Sequence, residues 1–564
     1  MFVIKLKNIL IIKLVNDFCL MFKDIKYNNI FATLGFFIIL FFIGISIYAD
    51  FGLGVDEDNS RVNGFVSLRY IYEIFSPQNI FKIDKIIIVS NINDYSQQGN
   101  GVVFDLPMAF LELIFNITDD RQIYLIRHFS NFLFFFISII FFYKIIKNRY
   151  NSYFSALLGA AFLVASPRIF AESFYNSKDI LFMSLFIINL FAGINFLEKP
   201  SIKSAAFFSI ISALCTDVRI LGILLPAIIF LIFIINMLRN NNFKKYDILP
   251  FILFLILLPF LVILFWPYLW ENPIGNFVGV FKNLSQHPYY GYNFYFGEYI
   301  AARNVPWHYP IVWIFITTPI YYLILFLIGF IFIFYRLISR LLKIEKNNSY
   351  IDLWRGKKEL QDLIFFLTFS IPIFITIILG STLYDGWRHL YFIYPSFIII
   401  ALNGLNLVKN IFIKKKILTI NIVTCLLILQ IFFWMFINHP HQNVYFNLFA
   451  MNKFNKNFEM DYWGISNKNA LEYIAKDSKN EANVYNLNTS DLPLSKKFLN
   501  KKDRDLINIT QNINEADYII NSFRDWNGLT KPQNYLIPKN FEILYEIKVD
   551  GVTINSIYKK NKIF

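Results

Sequence analysis

Eleven apolar runs, separated by short charged segments, constrain this 564-residue chain more than any other feature. They lie at 30–49, 129–146, 153–166, 180–196, 204–214, 221–238, 248–266, 311–334, 363–383, 390–408 and 417–437. The hydrocarbon core of a bilayer is roughly 30 Å thick, so a helix needs about 20 apolar residues to cross it. Most of the runs meet that requirement. Two are short: 153–166 must borrow flanking residues, and 204–214 spans only with Thr216, Asp217 and Arg219 at or inside the boundary. Composition agrees, with 56% hydrophobic and 19% aromatic residues, far above ordinary globular usage. The expected fold class is an α-helical polytopic membrane protein of about 11 transmembrane helices.

Charge sets the expected orientation. With the N-terminus inside, the inner segments carry 24 Lys and Arg, against 12 on the longer outer segments before residue 438. This is the positive-inside pattern. It predicts a cytoplasmic N-terminus, an extracytoplasmic C-terminus and a multi-pass protein of the cell (inner) membrane. The formal charge of +14 sits mostly in Lys-rich inner loops, so no nucleic-acid partner is implied. Residues 1–29 alternate Lys with apolar residues and read as an amphipathic cytoplasmic segment. The three cysteines all lie in apolar stretches, which excludes a disulfide framework.

The domains expected are that segment, a membrane domain over 30–437 with outer loops 50–126 and 267–310, and an outer domain over 438–564. The last is polar and rich in Asn and Lys. A helix capped by Ser466 is predicted over 467–476, with strands at 483–487, 517–521, 541–549 and 552–558. Asp550-Gly551 between the last two is a hairpin signal. Together these predict a small α/β domain.

The outward-facing turns collect charge while the apolar runs between them carry almost none. Acids stand at Asp56, Glu57, Asp58, Asp179, Asp217 and Asp385, and guanidinium groups at Arg61, Arg168, Arg219 and Arg388. Trp270, His308, Tyr384 and His389 lie in the same loops. Arg forks bind phosphate oxygens in bidentate fashion, and a carboxylate can take a proton from an attacking hydroxyl. That pairing at an apolar–water boundary suits a lipid-linked sugar phosphate, whose leaving phosphate gathers negative charge as the glycosidic bond breaks.

Four ordered pieces carry a resemblance: Asp56-Glu57, Pro167-Arg168-Ile169-Phe170-Ala171 leading to Asp179, Trp266-Pro267-Tyr268-Leu269-Trp270, and Tyr384-Asp385-Gly386-Trp387-Arg388-His389. In order and sidedness the chain resembles a GT-C-type glycosyltransferase of the glycosyltransferase family 39 kind, which includes protein O-mannosyltransferases and lipid A aminoarabinose transferases. The resemblance covers 30–437 and implies a polyprenyl-phosphate sugar donor, a lipid, glycan or protein acceptor, and transfer with inversion. It implies a first-loop acid as base, with Asp56, Glu57 and Asp179 as the catalytic set. Arg61, Arg168, Arg219 and Arg388 would serve phosphate or sugar, with Asp385, His389, Tyr384, Trp270 and His308 beside them, and arginines or a divalent cation would hold the phosphate. The third acid, Asp58, and the long tail depart from the family pattern.

Each feature also has a plainer reading. The acidic triplet can mark the membrane exit, Arg168 can snorkel, Asp179 can serve a helix N-terminus, and Arg388 can pair locally with Asp385. The histidines show no metal-ligand spacing. A transporter or flippase of a lipid-linked sugar is the alternative function. It would place ionisable groups near the membrane midplane, where this sequence has almost none.

Overall fold

The computed structural model describes residues 26–239, 245–285, 289–342, 353–412, 414–450, 454–488, 491–524 and 536–561. The protein is an α-helical polytopic membrane protein with a small α/β domain after its last apolar helix. Its principal helices are α1 (Lys26–Ile47), α2 (Asp56–Phe75), α3 (Asp105–Ile114), α4 (Asp120–Tyr150), α5 (Tyr153–Val164), α6 (Pro167–Tyr175), α7 (Asp179–Glu198) and α8 (Ile202–Val218). There follow α9 (Leu224–Arg239), α10 (Lys245–Phe265), α11 (Pro273–Ser285), α12 (Tyr309–Thr317), α13 (Ile320–Leu342), α14 (Gly356–Ile378), α15 (Tyr394–Ile411), α16 (Lys414–Ile437) and α17 (Ser466–Ser478).

Among the described residues nine helices are long and apolar enough to cross a membrane, and a bent pair makes up to ten. The pair is α5 and α6, which meet at 69°. Its cause is local. Pro167 has no N–H for the α5 ladder and disfavours helical backbone at Ser166, yet is well placed as the first residue of α6. The short run at 153–166 reaches the length of a span only together with the bent continuation α6, and α6 buries Arg168 and Glu172 in the protein. The other short run does extend: α8 reaches Val218, taking Asp217 into its last turn and leaving Arg219 just beyond. It lies against α7 and α10. The run at 311–334 is broken by Thr318-Pro319 into α12 and α13. The amphipathic segment expected over 1–29 lies outside the described residues except for the start of α1 at Lys26.

Helices α13 and α15 pack extensively against each other. Gly329 and Gly404 face the opposing backbones across this contact. A Cβ on Gly404 would sit 2.0 Å from the Leu325 carbonyl oxygen, and one on Gly329 would sit 2.1 Å from that of Ile400. Small residues at such crossings let backbones approach where lipid supplies no hydrophobic drive. At the end of the bundle remote from α6, Arg149 and Arg336 both hold Asp362, and Gln361 reaches Glu198 at 2.8 Å.

The C-terminal domain is a five-stranded sheet in the order β4-β3-β5-β7-β6. Strand β3 (Ala482–Asn488) runs parallel to β4 (Ile507–Thr510) and β5 (Tyr518–Asn521); β6 (Phe541–Val549) and β7 (Val552–Lys560) are antiparallel. The Asp550-Gly551 turn has positive φ at both residues, as a two-residue hairpin requires. Helix α17 forms as expected, but Ser466 is not its cap. The Asp461 carboxylate takes the N–H groups of Ile465 and Ser466 instead, at 3.1 and 2.8 Å. Strand β4 and a hairpin of β1 (Tyr292–Tyr295) and β2 (Glu298–Ala301) escape the sequence pattern because each strand has only four residues.

The domain is docked on the first long loop and on the membrane end. Lys468 Nζ donates to the Ala49 and Asp50 carbonyls at 3.0 Å, Arg504 meets Asp119 at 3.0 Å, and Lys497 meets Asp58 at 3.4 Å.

Gly404→Val should lower the melting temperature of the purified protein in detergent by about 3 °C or more, because a branched side chain there forces α13 and α15 apart. Gly35→Val on α1, where no atom lies within 4 Å of the added Cβ, should melt like the parent. Equal melting of all three proteins would contradict the packing.

Candidate active site

The acidic triplet opens α2, where carboxylates favour the positive end of the helix dipole. Its three members have different fates. Glu57 is buried: it accepts the Gly54 N–H at 2.8 Å and meets His128 Nε2 at 3.0 Å. His128 lies with its other ring nitrogen 3.2 Å from the Tyr48 carbonyl. Asp58 accepts the Tyr124 hydroxyl and pairs with Lys497 of the C-terminal domain. Only Asp56 turns toward the other acids.

Asp56, Asp179 and Asp385 converge on one guanidinium, although they come from three separate segments. Arg388 Nη1 donates to Asp56 Oδ2 at 3.0 Å and to Asp179 Oδ2 at 3.2 Å, and its Nη2 lies 3.3 Å from Asp385 Oδ2. Arg219 holds the other oxygen of Asp179. The side chains of Arg388 and Asp179 are 4% and 1% exposed, whereas that of Asp56 is 34% exposed. The cluster therefore has a sealed floor and one carboxylate at its mouth. Burial pushes the Asp56 carboxyl up, but Arg388 and Lys178 outweigh it and hold the group below the usual range.

Each arm has a local reason for its position. The Tyr384-Asp385-Gly386 turn is left-handed at Asp385 (φ +57°) and Gly386 (φ +72°), conformations that Asp and Gly tolerate. Asn293 on β1 grips this turn, taking the Asp385 N–H at 3.2 Å and donating to the Leu383 carbonyl at 2.8 Å. Asp179 begins α7, with its N–H on Asn176 Oδ1 at 2.8 Å. Asn176 also donates to Asp179 Oδ2 at 3.1 Å and to Glu172 Oε2 at 2.7 Å. Glu172 in turn accepts the hydroxyls of Tyr391 and Tyr462, both at 2.8 Å. A buried polar chain thus runs behind Asp179 and fixes it.

Aromatic rings wall the cluster. Arg388 lies over Tyr384 and Trp463, 4.8 and 4.7 Å from their centroids. Tyr289 stacks on Tyr384 at 4.1 Å, and His389 meets the edge of Tyr384 at 4.6 Å. Burial raises the Tyr384 hydroxyl to about 12, so it is a neutral donor at physiological pH.

Other sequence candidates stand outside the cluster. Arg61 is bound to Glu112. Arg168 donates to the Tyr445 carbonyl at 3.0 Å and lies over Phe446 and Trp313. Asp217 accepts the Val102 N–H at 3.1 Å and so anchors the first loop. His308 meets the Tyr295 hydroxyl at 2.8 Å, and Trp270 donates to the Ile263 carbonyl at 2.8 Å. Among the described residues no group of three or more His, Cys, Asp or Glu side chains is arranged to hold a metal ion.

Several residues of the site had no sequence signal. Glu172 and Asn176 lie between Pro167-Arg168-Ile169-Phe170-Ala171 and Asp179, and neither is assigned a role by sequence. Glu459, Trp463 and Arg524 come from the tail. Arg524 Nη2 donates to Asp385 Oδ1 at 2.8 Å, so Asp385 bridges an arginine of the membrane domain to one of the C-terminal domain.

Residues 106–266 match the family model described as dolichyl-phosphate-mannose-protein mannosyltransferase. No curated protein sequence matches the chain. Among solved structures, ArnT from Cupriavidus metallidurans bound to undecaprenyl phosphate is similar at 10% identity and a TM-score of 0.47, over 93% of this chain and 98% of that one. The same protein in its apo state gives 10% and 0.45 over the same shares. The Archaeoglobus fulgidus oligosaccharyltransferase, tethered to an acceptor peptide, gives 12% and 0.43 over 88% of this chain and 65% of that one. With the mannosyltransferase model falling on the stretch that holds α6, Asp179 and Arg219, the chain resembles a GT-C-type glycosyltransferase of the family 39 kind.

Proposed function

We propose that this protein is a membrane glycosyltransferase that moves a sugar from a polyprenyl-phosphate donor to a lipid, glycan or protein acceptor, with inversion, at the outer face of the cytoplasmic membrane. The observation that carries this reading is the convergence of Asp56, Asp179 and Asp385 on buried Arg388. The donor phosphate lies against Arg388 and Arg219, whose buried Nε–H groups have no hydrogen-bond partner among the described residues. Asp56, at the mouth, takes the proton of the acceptor hydroxyl as that oxygen bonds to the anomeric carbon. The C–O bond to phosphate breaks, and its electron pair leaves on the phosphate, whose charge the guanidinium groups stabilise. One displacement inverts the anomeric centre. Any divalent cation would act on the phosphate oxygens in the same sense, beside Asp56 and Asp179.

The flippase alternative gains less from the structure. The buried ion pairs gather at two ends of the bundle, around Arg388 and around Asp362, and a transporter would need them near its middle. Mass spectrometry of lipid-linked and envelope glycans in a deletion strain separates the two. The transferase reading expects loss of one sugar from its acceptor with its lipid-linked donor accumulating.

Asp56→Asn should lower transfer by roughly 100-fold or more, the scale of a lost general base, with normal membrane insertion. Arg388→Lys keeps the charge but cannot reach three carboxylates, and transfer should again be lost. Full activity in either variant removes the assigned role.

The pH profile follows from the low-lying Asp56 carboxyl. A base must be ionised, so kcat/KM should hold as pH falls through the ordinary carboxylate range and decline only below it. Lys178→Gln removes one of the two cations that hold Asp56 down, so its acid limb should move to higher pH. An unmoved limb would show that Asp56 does not set it.

A further inference from the structure

The C-terminal domain presents three hydrogen-bonding groups to the cluster that no described residue satisfies. Glu459 accepts the Phe294 N–H at 3.2 Å through Oε1, while its Oε2 is buried without a partner. Arg524 is held to Asp385 through Nη2, while its Nη1 is buried without a partner. Trp463 packs its ring under Arg388, while its indole N–H is buried without a partner. Leaving a buried polar group unpaired is costly, and three such groups around one acid–arginine cluster point to a polar ligand.

The chemistry of the three is complementary to a polyol. One carboxylate oxygen accepts, a neighbouring guanidinium and an indole donate, and the Tyr289 ring, stacked on Tyr384, lies close to Asp385, Arg524 and Glu459. Adjacent acceptor and donor groups with a flat ring alongside match vicinal hydroxyls on a pyranose or furanose. We infer that Glu459, Arg524 and Trp463 form the subsite for the sugar ring of the donor, so that the C-terminal domain selects the sugar while Arg388 and Arg219 hold the phosphate. This rests on the glycosyltransferase reading. Burial pushes Glu459 up to about 7 with Asp385 adding to it and Arg524 opposing it, so near neutral pH the group can donate as well as accept.

The test traps the donor and reads what the protein carries. Asp56→Asn protein is purified in mild detergent from its native membrane, and the co-purified lipids are identified by mass spectrometry as bare or sugar-bearing polyprenyl phosphate. Glu459→Gln and Arg524→Gln, each added to Asp56→Asn, should lower the ratio of sugar-bearing to bare lipid by about tenfold, the effect of one lost buried hydrogen bond. Total polyprenyl phosphate per protein should stay within about twofold, since the phosphate contacts are intact. An unchanged ratio overturns the subsite, and so does loss of both lipid forms, which would make these residues structural. Bare lipid alone on the Asp56→Asn parent likewise overturns it. Polyprenyl phosphate in neither form on that parent is a different failure, that of the glycosyltransferase reading itself.

Discussion

A guanidinium that is 96% removed from water and faces three carboxylates from three segments governs this molecule. Moving an ion out of water costs several kcal/mol even after relaxation, and only close, well-formed contacts offset it. Arg388 is fixed by Asp56 from the first loop, Asp179 from the start of α7, and Asp385 from its own turn. None of the three could be moved without leaving a buried charge uncompensated. The loops of this end are therefore tied to one another by charge, and the apolar helices below need only hold the segments at the right separation.

That constraint explains the buried chain behind the acids. A carboxylate at a helix N-terminus can rotate, and Asp179 must present one oxygen to Arg388 and the other to Arg219. Asn176 removes that freedom by holding Asp179 from its backbone and its side chain at once, and Glu172 with its two tyrosine partners holds Asn176. The sharp bend at Pro167 brings Glu172 to that depth. A continuous helix through 153–175 would carry it away from α7. The break in the span and the stiffness of the site share one cause.

Much of the membrane architecture was legible because lipid imposes a length and a composition on any crossing segment. The acids and arginines of the site were legible as a set because charge is scarce in such a chain, so each exception stands out. Partnering was not. Arg61, Arg168 and Arg388 look alike in sequence, each an arginine at an outer turn, yet Arg61 answers Glu112 and Arg168 answers a backbone carbonyl and two aromatic rings. Only the fold distinguishes an arginine with a structural partner from one that meets several acids. Glu459 and Arg524 lay beyond reach for another reason. The tail is rich in polar residues, and there a single Glu or Arg carries no contrast.

The tail's contribution changes how the two parts of the chain relate. Asp385 uses both oxygens, one for Arg388 and one for Arg524, and so links the C-terminal domain to the acid–arginine cluster beside the Trp463 ring on Arg388 and the Tyr462 hydroxyl on Glu172. Among the domain's docking contacts Lys468, on the Ala49 and Asp50 carbonyls, is itself buried, whereas the pairs at Asp58 and Asp119 are part-exposed, each worth at most about 1 kcal/mol. The Arg524 contact differs because it is enclosed and shares its acid with the arginine proposed to hold the phosphate.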